Sequence, residues 1–297
     1  MSKFPWKTTL AVSALLAATA YAFAQMSSGG PMGMQGRMHG DMRTLSEAFR
    51  RATVLLVLMG AGAANAAEIK VLSANGMRDV MEEVGPKFTR TTNHKLAIEF
   101  GTIGAILKRI DAGERADVII IPPVGTNRLL ENGKGLANTD VVIAHSGIGV
   151  AIRKGVPKPD ISTPESFRQV LLGAKSVTYL DPSAGGTTGP HFLKVIERLG
   201  IADEVKAKAV LHRSGREAAQ LVAEGKAEVG INLTQELLSN SEIQVIGPLP
   251  GDLQLTLSFA VIVLSGTHEP DASKALIAFL RTPEVAELIK SKGMEPN

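Results

Sequence analysis

From Glu68 onward the hydrophobic positions along the chain switch repeatedly between a period of two and a helical period. The run EIKVLSAN is apolar and β-branched, and behind it Met77, Val80, Met81, Val84 and Phe88 fall on one helical face, so a strand followed by a helix is predicted. KLAIEF predicts a second strand, and Ile103, Ile106, Leu107 and Ile110 predict a second helix that Gly113 can end. ADVIIIP is apolar without alternation, which suits a strand buried on both faces of a parallel sheet. Together these elements make a βαβαβ unit.

The pattern then restarts. VVIAHSGIGVAIRKG predicts a long β segment, after which helix 164–172, strand SVTYL, helices 190–199 and 215–224, strand EVGIN, helix 234–239 and strand IQVIG form a second α/β series. LQLTLSFAVIVL, at 253–264, is another long β segment, and helices over 271–281 and 283–291 close the chain. Two α/β series joined by two long β segments predict a chain that crosses twice between two lobes. Lobe I is assigned to residues 68–145 plus 260–297, and lobe II to 146–259.

The first 67 residues follow a different grammar. Residues 1–24 place Lys3 and Lys7 before an apolar run and end on Ala22-Phe23-Ala24, the charged, apolar, small-x-small order of a secretory signal. Residues 42–66 repeat it, with Arg43, Arg50 and Arg51, the run ATVLLVLMGAGA, and Ala64-Asn65-Ala66. A Met- and Gly-rich linker without periodicity separates the two. Both apolar runs fall short of the roughly 20 residues of a membrane span, so export to the periplasm with no stable span after signal removal is expected. Translation from Met42 would give a complete signal, with a mature start near Ala67 or Glu68.

Charge and composition narrow the function. The formal net charge of +3 points weakly toward nucleic acid, but residues 1–67 hold six of the 32 basic residues and two of the 29 acidic ones. The remainder, 68–297, therefore has a formal charge of −1 and gives no electrostatic reason to expect a nucleic-acid partner. With no cysteine, disulfides and thiolate chemistry are excluded. His94, His145, His191, His212 and His268 show no metal-ligand spacing, and no G-x-S-x-G elbow occurs, so neither an enzyme nor a cofactor or metal is expected.

Residues 69–122, with IKVLSANGMRDVMEEVGPKF and EFGTIGAILKRIDAGERADVIII, resemble the opening of the periplasmic molybdate-binding proteins. The similarity continues through DPSAGGTTGPHFLKVIERLG and GREAAQLVAEGKAEVGI to PEVAELIKSKG. The resemblance implies an α/β, two-lobed type II periplasmic binding protein fold, a Venus flytrap with two crossover β segments. It further implies the extracytoplasmic solute-binding subunit of an ABC importer, a monomer that holds a small anion between its lobes and docks on a permease in the inner membrane. Family members grip a tetrahedral oxyanion with hydroxyls and with backbone N–H groups at helix N-termini, where unpaired donors and a partial positive charge favour an anion.

Four loops of this chain occupy those places. The first holds Ser73, Asn75 and Gly76; the family has a serine where Gly76 stands, so Ser73 or Asn75 would substitute, unless Asn75 only caps the helix. The second, Gly101-Thr102-Ile103-Gly104, keeps the single hydroxyl of Thr102 where the family has several serines. The third is the Gly-rich turn carrying Thr187, Thr188 and Gly189, without the Gly-Lys of a Walker loop. The fourth carries Gly215 and Arg216, whose guanidinium could fork onto a carboxylate or simply lie exposed. Leu233 stands where the family has an oxyanion-contacting tyrosine, which leaves Asn232, Thr234 or Gln235 to compensate. The lost hydroxyls keep the ligand open between a molybdate- or tungstate-like oxyanion and a small organic carboxylate. A periplasmic ligand-sensing module and a flytrap-fold enzyme such as a dehydratase are the alternatives.

Overall fold

The computed structural model describes residues 66–297, and the signal-like segments 1–24 and 42–66 lie outside the described residues apart from Ala66. β1 (Glu68–Ala74) buries Ile69, Val71 and Leu72, and a single 3₁₀ turn at Asn75–Met77 leads into α1 (Arg78–Thr92). The buried face of α1 is the predicted stripe Val80, Met81, Val84 and Phe88, and the helix ends on Asn93 in the left-handed region at φ 63°. β2 (Lys95–Gly101), α2 (Ile103–Asp111) and the wholly buried β3 (Val118–Ile121) complete the βαβαβ unit. α3 (Pro123–Glu131) follows, a helix that the Pro-Pro-Val-Gly run conceals in the sequence. Pro123 stands in its first turn, where a helix needs no N–H.

The 13-residue β4 (Val141–Arg153) opens the second series. It continues through α4 (Pro164–Gly173), β5 (Val177–Leu180), α5 (Thr188–Arg198), α6 (Ala202–Lys206) and β6 (Ala209–His212). Next come α7 (Gly215–Ala223), β7 (Val229–Leu233), α8 (Thr234–Leu237) and β8 (Ile243–Pro248). β9 (Thr256–Val263), α9 (Pro270–Leu280), α10 (Pro283–Ser291) and β10 (Glu295–Pro296) end the chain. α6, β6 and β10 are further elements without a sequence prediction, each five residues or shorter.

Eight of the ten strands join in one path, β2-β1-β3-β9-β4-β7-β5-β6, with β8 and β10 paired to β4 beside it. β4 is the shared strand. Its first part pairs with β9 from Val141↔Val261 to Gly147↔Thr256, and its second part pairs with β7 from Ile148↔Leu233 to Ala151↔Gly230. The sheet therefore has two halves, each with a parallel core (β2-β1-β3 and β6-β5-β7) closed by antiparallel strands. The chain passes between the halves along β4, and returns between β8 and β9 through the 3₁₀ turn Gly251–Leu253. Aromatic pairs anchor both cores: Phe88 meets Phe279 edge-on at 5.5 Å between centroids, and Tyr179 meets Phe192 at 4.9 Å. Among the described residues no helix is long and apolar enough to cross a membrane.

This topology positions the site. In a parallel sheet the loops that leave the carboxyl ends of the strands lead into helix N-termini, and ligands gather there. The loops after β1, β2, β5, β6 and β7 are of this kind in the two halves.

Candidate functional site

Loops from the two halves enclose a cavity of about 60 Å³. That is several times the ~10–15 Å³ a cavity needs to hold one water, so a small solute can enter it. Three helix N-termini reach it. Thr102 caps α2, accepting the Ala105 N–H at 3.3 Å; Thr188 begins α5; Ser214 caps α7 by accepting the Glu217 N–H at 3.4 Å, with Gly215 as the first helical residue. Of the candidate residues, Asn75, Gly76, Thr102, Thr187, Thr188, Gly215 and Asn232 line this cavity together.

Ser73, Gly104, Gly189 and Arg216 lie outside its lining, each for a packing reason. Ser73 is fully buried in β1, with its hydroxyl turned to the Ala74 carbonyl at 3.3 Å. Gly104 donates its N–H to the Gly185 carbonyl at 3.0 Å, a backbone contact between the two halves. A Cβ at Gly104 would stand 3.1 Å from the Gly185 Cα, so the approach depends on the glycine. Gly189 lets α5 pass the Leu180 carbonyl, which a Cβ would meet at 2.3 Å. The Arg216 guanidinium reaches across to α1 instead, pairing with Asp79 and Glu82.

Where the molybdate-binding family carries a serine, Gly76 faces Phe259. A Cβ there would lie 2.8 Å from the Phe259 Cζ and 2.9 Å from Leu233 Cδ1, so these two apolar side chains fill the space that a serine would use. Gln235 does not compensate as a ligand donor, because its side chain is spent on the fold. Its Nε2 donates to the Gly76 carbonyl at 2.9 Å and its Oε1 accepts the Ser146 hydroxyl. Thr234 likewise donates its hydroxyl to the Gly147 carbonyl at 3.1 Å.

The polar end of the cavity holds the group that sequence reasoning missed. Glu236, half-buried in α8, lines the cavity and also an adjoining one with Arg78 and Asp79. Burial pushes its carboxyl up to about 7, reinforced by the Asp79 charge and opposed by Arg78, the Gly215 N–H and the Asn232 amide. An acidic residue in the first turn of a helix is ordinary, so nothing in the sequence separated Glu236 from a dipole-stabilising one. Asn232 beside it is 1% exposed. Its Oδ1 accepts the Thr188 hydroxyl at 3.2 Å, while its Nδ2 makes no hydrogen bond of normal geometry. Arg213 brings positive charge to the rim, exposed and 3.5 Å from Asp181. Hydrogen bonds from Ser183, backbone first, and then the Arg213 charge hold the Asp181 carboxyl below its usual range.

The family described as bacterial extracellular solute-binding protein matches residues 69–295 of this chain. An aconitate isomerase from Pseudomonas sp is 30% identical over 233 residues, which cover 77% of this chain and 87% of that protein. A molybdate-binding protein from Azotobacter vinelandii is 27% identical over 248 residues, covering 80% of this chain and 96% of its own. The solved structure of the Azotobacter vinelandii periplasmic molybdate-binding protein superimposes with a TM-score of 0.63 at 19% identity, over 76% of this chain and 98% of that one. The fold is thus the two-lobed α/β fold of type II periplasmic binding proteins, as the sequence resemblance implied.

Proposed function

The chain belongs to the bacterial extracellular solute-binding protein family, similar to its molybdate-binding members, and from that premise we propose that it captures a small anion between its lobes for an ABC importer. The observation that carries the reading is the convergence of the N-termini of α2, α5 and α7, from both sheet halves, on one solute-sized cavity. Lobe I is built on the half containing β1 to β3 and lobe II on the half containing β5 to β7, with β4 and the stretch before β9 as the hinge. A ligand touching both lobes favours the closed form, because it makes more contacts there, and closure is what a permease can recognise. Delivery to a permease places the protein outside the cytoplasm.

Titration calorimetry of the chain against molybdate, tungstate, sulfate and a set of small di- and tricarboxylates including aconitate tests this. One anion is expected to bind with 1:1 stoichiometry, and at 100 times its Kd to raise the unfolding free energy by about 2.7 kcal/mol. Failure of every oxyanion and carboxylate to bind would remove the small-anion reading.

Glu236 favours a second reading. A carboxyl poised near neutrality inside a cavity is suited to take a proton from one carbon of an unsaturated carboxylate and return it to another, an isomerisation without cofactor. Chromatography of aconitate isomers after incubation with the chain decides between the two: turnover establishes the enzyme, and tight binding without turnover establishes the binding protein.

A further inference from the structure

We infer that Asn232 and Glu236 form a proton-sharing carboxylate subsite: the Asn232 amide donates to a carboxylate of the bound solute, and the acid form of Glu236 shares its proton with the same group. The inference rests on the small-anion reading and narrows it to organic carboxylates taken up together with one proton.

The geometry begins at Gly215. A Cβ on this residue would stand 2.3 Å from Glu236 Oε2 and 2.5 Å from Asn232 Nδ2, so the bare backbone at the start of α7 brings both groups to one point of the cavity wall. Asn232 is almost completely buried, is anchored through its Oδ1 by Thr188, and lines the cavity with an amide nitrogen that makes no hydrogen bond of normal geometry and has the Glu236 carboxyl as its neighbour. A buried donor left without a well-formed hydrogen bond is destabilising, and an acceptor on a ligand is the partner that would offset it. The Glu236 carboxyl lies at the same point, with the Gly215 N–H and the Asn232 amide as its neighbouring donors. Ionised, it would repel an incoming anion; protonated, it becomes an O–H donor aimed at one.

The charges around Glu236 are few. α1 presents Arg78 and Asp79, with Asp79 engaged by Arg216. α7 contributes Arg216 and Glu217, and Glu217 is turned to the Arg213 N–H at 2.9 Å. β7 and β8 carry no charged residue. On β4, His145 bonds Ser258 and Asn297, and the Arg153 guanidinium lies near Gly225. Arg213 at the rim is the cation that lines the cavity, and a proton at Glu236 removes the negative charge that would oppose the ligand. Beside the threonines, part of the wall is apolar, with Leu180, Leu233, Leu257 and Phe259. Such a wall suits a carbon skeleton, whereas a tetrahedral oxyanion needs donors on all sides.

The test measures the affinity of the full chain for aconitate and for molybdate at pH 5.5, 7 and 8.5, with calorimetry in two buffers of different ionisation enthalpy to count protons. For the wild type, aconitate affinity is expected to fall about tenfold per pH unit above neutrality, with close to one proton taken up per ligand at pH 8.5. Glu236→Gln, whose amide donates at every pH, is expected to lose the slope and the proton uptake, and Asn232→Leu to weaken binding at all three pH values. The wild-type proton count stands even if a variant fails to fold. Aconitate binding without proton uptake, or the same slope in folded Glu236→Gln, overturns the subsite. Binding of molybdate alone overturns it too, while leaving the small-anion reading in place; binding of neither anion at any pH, together with failure of the wider panel, brings down both.

Discussion

Between pH 6.5 and about 4 the folded chain is expected to lose about 3 kcal/mol of stability to one residue, His212. His212 ends β6 with its side chain fully buried and neither ring nitrogen partnered. Burial depresses its pKa from 6.5 to about 4, the nearby Glu217 charge opposing. The folded state therefore keeps the ring neutral through a range in which the unfolded chain already binds a proton, and stability drops as pH falls through that window. Glu236 works in the opposite sense: its raised pKa makes stability decline as pH rises from the ordinary carboxylate range through neutrality. The measurement is accordingly a difference. Urea unfolding of the wild type and His212→Leu at pH 7, 5.5 and 4 should show the variant losing less stability on acidification by about that amount, and parallel pH profiles would refute the assignment.

Gly215→Ala should reduce solute affinity about ten- to a hundredfold while leaving the fold in place. The added methyl would lie 2.2 Å from the Glu236 Cδ and 2.5 Å from the Asn232 Nδ2. Glu236 can swing away, but Asn232 is enclosed and tied to Thr188, so the α7 start must move or the amide must leave the cavity wall. Overpacking of this kind costs about 1–3 kcal/mol, and here it falls on the binding geometry, since the site and not the core holds the displaced groups. Calorimetry with the anion that binds the wild type, alongside circular dichroism, reads both quantities. Wild-type affinity in the variant would show that the α7 start is not part of the site.

The long periodic elements were legible because period and burial coincide in them. The stripe of α1 and the unbroken run of β3 each admit one secondary structure, and the structure has it. α3 was hidden because two prolines and a glycine read as a turn, although Pro123 starts the helix and Gly125 is needed for packing against Ile121. β6 is a four-residue edge strand with too short a pattern to register. At the site, the family resemblance led to the loops, and seven candidate residues meet at the cavity. It did not lead to Glu236, whose significance comes from enclosure by α1 and α7, partners that are distant in the chain. Nor did it show that Phe259, more than 180 residues after Gly76, stands where a family serine would reach.

The central claim, one anion held between two lobes, is tested most directly by removing one hydroxyl from each side. Thr102 lines the cavity from the half containing β2 and Thr187 from the half containing β5. Thr102→Val and Thr187→Val, confirmed as folded, are titrated with the anion that binds the wild type. Both are expected to lose about tenfold or more in affinity, the worth of roughly 1.5–3 kcal/mol for a hydrogen bond to a charged group. Loss in one variant with unchanged affinity in the other would place the ligand on a single lobe and contradict the account.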